Sequence, residues 1–124
     1  MRSSLTIYGQ RELARDLLTA ETLELGEDKV LMLASLNFYN ISYLPATRVV
    51  VYVQKDKKGQ QKFVTSCTGT NGYTEHSTVS SVWGQIMHYA YSIRVCNRIE
   101  VHLTGDLKRF KGEEEETDEE KNNE

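Results

Sequence analysis

Along residues 48–53 valines alternate with other side chains. Val49, Val51 and Val53 fall on one side of an extended chain, and Arg48, Val50 and Tyr52 on the other. Ile99, Val101 and Leu103 alternate with Glu100 and His102 in the same way. A period of two marks half-buried strands. Between these stretches Val79, Val82, Trp83, Ile86, Ala90 and Ile93 recur three and four apart, the spacing of a helix with one buried face. Residues 30–34 form a continuous apolar run that periodicity alone assigns to a buried strand or a buried helix; flanking turn signals and the aromatic Phe38 and Tyr39 favour strand. The expected order is therefore strands near 30–38, 47–54 and 61–68, a helix, and a strand near 98–104.

The connections follow from local chemistry. Lys55-Asp-Lys-Lys-Gly59 reads as a hairpin turn, with Gly59 able to take a positive φ. Pro45, the single proline, marks a turn or strand entry within the 40–46 connection. Residues 66–74 are small and polar and predict a loop. Thr74 or Ser77 can cap the helix that follows, with Glu75 suited to its positive end. Gly84 costs the helix about 1 kcal/mol relative to Ala, which implies close backbone packing there or a helix that begins only after it. Upstream, residues 5–8 predict a short strand. Residues 9–19 predict a helix with Leu13, Leu17 and Leu18 on one face.

A chain of 124 residues is one domain with a modest core. No apolar run is long enough to span a bilayer and the start does not resemble a signal peptide, so a soluble, intracellular, cytoplasmic protein without a membrane partner is expected. Cys67 and Cys96 have no CxxC spacing and the three histidines are scattered, so reduced core thiols, no metal and no cofactor are expected. The net charge of −3 conceals an asymmetry. Residues 113–124 hold eight acidic side chains and one lysine, whereas residues 47–111 hold ten basic against four acidic. The division is a helical segment at 1–21, a β-rich domain at 22–111 and a disordered acidic tail at 112–124.

Basic residues interleaved with aromatics suit a nucleic-acid single strand, where cations track phosphates and rings stack on bases. The cations are Lys55, Lys57, Lys58 and Lys62 of the hairpin, with Lys108, Arg109 and Lys111 after the last strand. The aromatic candidates are Tyr52, Phe63, Tyr73, Trp83 and Phe110. Of these, Trp83 lies on the apolar stripe of the helix and Phe63 also fits a core position. Tyr52 interrupts a valine strand on its polar side, and Phe110 lies between two cations. A lysine-rich tip is also what solubility alone would place on a hairpin.

Trp83-Gly-Gln-Ile86 opening a helix, then Arg98-Ile-Glu-Val-His-Leu-Thr-Gly105 and Leu107-Lys-Arg109, resemble the bacterial single-stranded-DNA-binding protein. The stretch Ser92-Ile-Arg-Val-Cys-Asn-Arg-Ile-Glu-Val101 is similar to the related primosomal replication protein B. Tyr43-Leu-Pro45, the lysine hairpin and Thr74-Glu75 fall in matching places, and the resemblance covers about residues 30–111. It implies an OB-fold, a small β barrel with its helix between the third and fourth strands, plus an N-terminal helix and the disordered tail. It also implies binding of single-stranded DNA, with RNA open, homo-oligomerisation, work in DNA replication and recombination, and replication or repair protein partners met through the acidic tail. The family's fifth long strand has no counterpart after residue 111. Barrel closure would then fall to Phe110 and its neighbours, residues 5–8, or another subunit.

No Ser/His/Asp or Cys/His pairing and no phosphate-binding glycine motif is present, so no enzyme is expected. A nuclease of ribonuclease-H-like order would need carboxylates converging on Mg²⁺, and Asp56, Glu75, Glu100 and Asp106 are the acids available in 47–111. The alternative to nucleic-acid binding is a small regulator or structural subunit that turns the same β fold toward a protein partner.

Overall fold

A computed structural model describes residues 2–40, 42, 45–67, 72–92 and 98–112. The elements are α1 (Arg2–Glu21), β1 (Val30–Tyr39), β2 (Pro45–Lys55), β3 (Gln61–Cys67), β4 (Tyr73–His76), α2 (Val79–Ser92), β5 (Arg98–Leu103) and α3 (Asp106–Lys111). The five strands are antiparallel neighbours in the order β4-β3-β2-β1-β5. The protein is thus mainly β with helices, as the patterning predicts. Its open sheet is consistent with a small barrel-like fold.

Three expectations are corrected. Residues 5–8 are not a strand but part of α1, which runs unbroken through them. The 66–74 loop is shorter than read: β3 reaches Cys67 and Tyr73 already belongs to β4. This extra strand places α2 between the fourth and fifth strands, and the described residues already supply the sheet with five members. The basic segment at 108–111 belongs to α3, entered through Gly105 and left through Gly112, both at positive φ. Of the sequence expectations, Tyr43 and Leu44, the 68–71 part of the loop, Ile93, Cys96 and the tail from 113 onward lie outside the described residues.

The two faces of the sheet differ because the strands alternate. Leu31, Ala34, Leu36 and Phe38 of β1, Val49, Val51 and Val53 of β2, Phe63 of β3 and Val101 of β5 form one buried cluster with Leu13, Leu17 and Ala20 of α1, Val82, Ile86 and Ala90 of α2, and Leu107 of α3. All three helices therefore contribute their buried side chains to the same face. Helix α1 crosses that face from β5 to β3. At one end a Cβ on Gly9 would stand 2.8 Å from the Val101 Cβ, so only a hydrogen fits there. At the other end Gln61 Nε2 donates to the Ala20 carbonyl at 2.6 Å.

Helix α2 is capped by neither Thr74 nor Ser77. Thr78 Oγ1 accepts from the Ser81 backbone N–H at 3.0 Å, because Thr74 and Glu75 are committed to β4. Gly84 sits within α2, exposed, and a Cβ added there would meet nothing within 4 Å, so neither explanation expected from the sequence applies. His76 is buried between Thr65 Oγ1 and Ser81 Oγ, at 2.9 Å from each, and ties β3, β4 and α2 together. Burial pushes its imidazole below the ordinary value. Among the described residues no helix is long and apolar enough to cross a membrane.

Candidate nucleic-acid interface

The strand positions that alternate with the core form the second face, and no side chain from them enters the helix-covered cluster. Pairing fixes which residues share it. Tyr52 lies opposite Val64 and Met32, Gln54 opposite Lys62 and Val30, and Tyr73 opposite Ser66. Directly paired residues point to the same side of a sheet. One half of the face is aromatic and apolar: Tyr73 is 64% exposed and Val30 50% exposed, next to the half-buried Tyr52. Val30, Tyr52, Gln54, Val64, Ser66 and Tyr73 line a hollow of about 360 Å³.

A second hollow of about 500 Å³ adjoins it at the β2–β3 turn, lined by Gln54, four lysines (Lys55, Lys57, Lys58 and Lys62), Gln60 and the carboxylates of Asp56 and Glu75. The turn is preset. Asp56 Oδ1 accepts the backbone N–H groups of Lys58 and Gln60, both at 2.9 Å, and Gly59 takes a φ of 83°. The Gln60 N–H, followed by that of Lys58 and the Lys62 ammonium, holds the Asp56 carboxyl below the ordinary carboxylate range. Lys62 is engaged by Asp56 at 3.5 Å and Glu75 at 3.7 Å. Among the described residues Lys55, Lys57 and Lys58 form no ion pair.

The other half of the face is a polar network. The Arg98 guanidinium stacks on the Tyr39 ring, 4.2 Å from its centroid, and the Tyr39 hydroxyl donates to Glu100 Oε1 at 3.1 Å. His102 Nε2 also meets Glu100 Oε1 at 2.9 Å, and Arg48 Nε donates to Ser35 Oγ at 2.8 Å. Glu100 is 3% exposed, and its partners are what make a carboxylate tenable there. Arg48, Arg98 and Tyr39 were not among the residues expected from the sequence. Their signal was present, since each holds the polar parity of its strand, as Tyr52 does.

The structure thus brings Tyr52, Tyr73, Lys55, Lys57, Lys58 and Lys62 together, and it separates the others. Phe63 is 3% exposed in the core, on the opposite face from Tyr52, because its partner across the pair is Val53. Trp83 packs against the same core from α2. Phe63 follows the core alternative, and Trp83, partly buried, lies on the helix-covered side, away from Tyr52 and Tyr73. Phe110 also packs on the core, with Lys29 Nζ 5.9 Å from its ring centroid, so it is not the open ring between two cations that the sequence implies. Lys108, Arg109 and Lys111 are exposed on α3. Arg109 donates to the Thr104 carbonyl at 3.1 Å and pairs with Asp106 at 3.3 Å.

The four carboxylates do not gather. Asp56 and Glu75 meet through Lys62, Glu100 lies in the β5 network and Asp106 on α3. Cys67 is buried, and burial pushes its thiol up. No protein-family model, no curated protein and no solved structure matches this chain.

Proposed function

We propose that the chain is a non-catalytic single-stranded nucleic-acid-binding protein, with DNA as the first ligand to test, working through the open face of its sheet. The observation that carries this reading is the juxtaposition of an exposed tyrosine-lined hollow with a lysine-lined one. Rings supply stacking that every base accepts, and ammonium groups supply phosphate contacts without sequence preference. Oligomerisation, an intracellular location and a part in replication or recombination belong to the same proposal, which the residues resembling the single-stranded-DNA-binding family support. So does a role for the acidic 113–124 stretch in meeting protein partners.

A second reading places a protein partner on the same face, and the exposure of Val30 and Tyr73 favours it. Salt separates the two. Titration of the full chain with oligo(dT) at several salt concentrations should give an affinity falling with log[salt], with a slope of about −0.7 for each phosphate neutralised. An affinity for oligo(dT) that is absent at low salt would transfer the face to the protein partner.

A further inference from the structure

The two hollows share one wall, Gln54, and this arrangement has a consequence for what the face holds. Tyr52 lies on β2 and Tyr73 on β4, with only β3 between them. Their strands therefore stand about 10 Å apart, with Val64 and Ser66 forming the floor. Because Tyr52 pairs with Val64 and Tyr73 with Ser66, the two rings stand diagonally across this floor, on either side of a hollow of about 360 Å³ that admits a planar ring. Gln54 and Ser66 give this otherwise apolar hollow an amide and a hydroxyl, groups that bond the polar edge of a base. The neighbouring hollow sets four lysines against two carboxylates, an excess of two positive charges. This excess matches one phosphate group rather than a run of them.

We infer that the open face contains a single nucleotide-sized subsite: a base between Tyr52 and Tyr73, its phosphate in the lysine hollow, and Gln54 at the junction. The inference rests on the single-strand-binding reading and sharpens it. It assigns the base-to-phosphate direction along β2 toward the β2–β3 turn, and it makes a nucleoside monophosphate the smallest complete ligand. Lys62 is already held by Asp56 and Glu75, and of the three remaining lysines Lys57 and Lys58 are the exposed ones, so these two carry the phosphate contact with the half-buried Lys55 behind them.

The test uses the full chain with four probes, thymidine 5′-monophosphate, thymidine, inorganic phosphate and (dT)10, followed by amide and side-chain NMR shifts. The monophosphate should shift residues of both hollows, thymidine those of the tyrosine hollow alone, and phosphate those of the turn alone. Tyr73→Ala should weaken the monophosphate and thymidine by about 10-fold or more, the loss of one stacked base, and leave phosphate unchanged. Lys57→Gln with Lys58→Gln should reduce the monophosphate to the affinity of thymidine. All three side chains are exposed, so the variants should keep the melting temperature of the parent, which is checked first. If (dT)10 binds while the monophosphate moves neither hollow, or while the tyrosine and lysine variants act alike on every probe, the subsite is overturned and the broader reading stands. If (dT)10 does not bind at all, both fall together.

Discussion

Phe63 and Tyr73 are aromatic residues on adjacent strands of one antiparallel sheet, yet they live under opposite rules. Phe63 is 3% exposed in the helix-covered core, and Tyr73 is 64% exposed on the open face. The tyrosine hydroxyl tolerates water better, but residue type alone does not assign the two rings to opposite faces. What does is parity: Phe63 pairs with Val53, on the side that α1 and α2 cover, and Tyr73 pairs with Ser66, on the side they leave open. One face is saturated by its own helices and accounts for stability. The other keeps rings and cations in water, where the proposed single strand would meet them.

The largest expected effect comes from crossing this division. Phe63→Ala should cost about 3–5 kcal/mol by opening a cavity in the core, and Tyr73→Ala should change stability by less than about 0.5 kcal/mol. Chemical denaturation of the two variants checks the contrast, and comparable losses would erase the distinction between the faces. Next comes Gly9→Ala. The added methyl would press on the Val101 side chain and carbonyl, and overpacking of this kind costs about 1–3 kcal/mol, more than the helix-propensity gain returns.

A smaller, pH-dependent effect belongs to His76. Its folded value lies below the ordinary 6.5 because it is buried, so as pH falls below 6.5 the unfolded chain takes up a proton that the folded chain refuses. Stability should therefore be level above that pH, decline from it toward the folded value, and level off again below. A His76→Gln variant, less stable at neutral pH, should lack this His76 contribution to the decline when melting temperatures are compared from pH 7 to pH 5. The smallest effect is a gain. Gly84→Ala should stabilise the chain by about 1 kcal/mol, since the site is helical, exposed and open to a Cβ.

Much of the fold was legible in alternation and helical spacing. Val49, Val51 and Val53, and the stripe of Val82, Ile86 and Ala90, are core as their periods demand. The failures have physical causes. A window of four residues at 5–8 cannot separate a period of two from one of 3.6, and the longer α1 absorbed it. Strand β4 is also only four residues long, set in a polar stretch, and it is held by pairing with β3 rather than by its own propensity. Lys62 looked equal to Lys57 and Lys58 because its two carboxylate partners are brought to it only by folding. Of the site, Tyr52 was legible from parity. The same reasoning extended to Tyr39, Arg48 and Arg98 would have found the rest of the face. Parity shows that a strand has two sides, but which side the helices cover is a tertiary fact.

The central claim is that the open face, and not the helical one, meets a nucleic-acid strand. Backbone amide shifts of the labelled full chain on addition of (dT)10 at low salt test it directly. Changes should concentrate at Tyr52, Gln54, Val64, Ser66, Tyr73 and the Lys57–Lys58 turn, with α1 and the exposed side of α2 unmoved. Changes centred on the helices, or none anywhere at low salt, would contradict it.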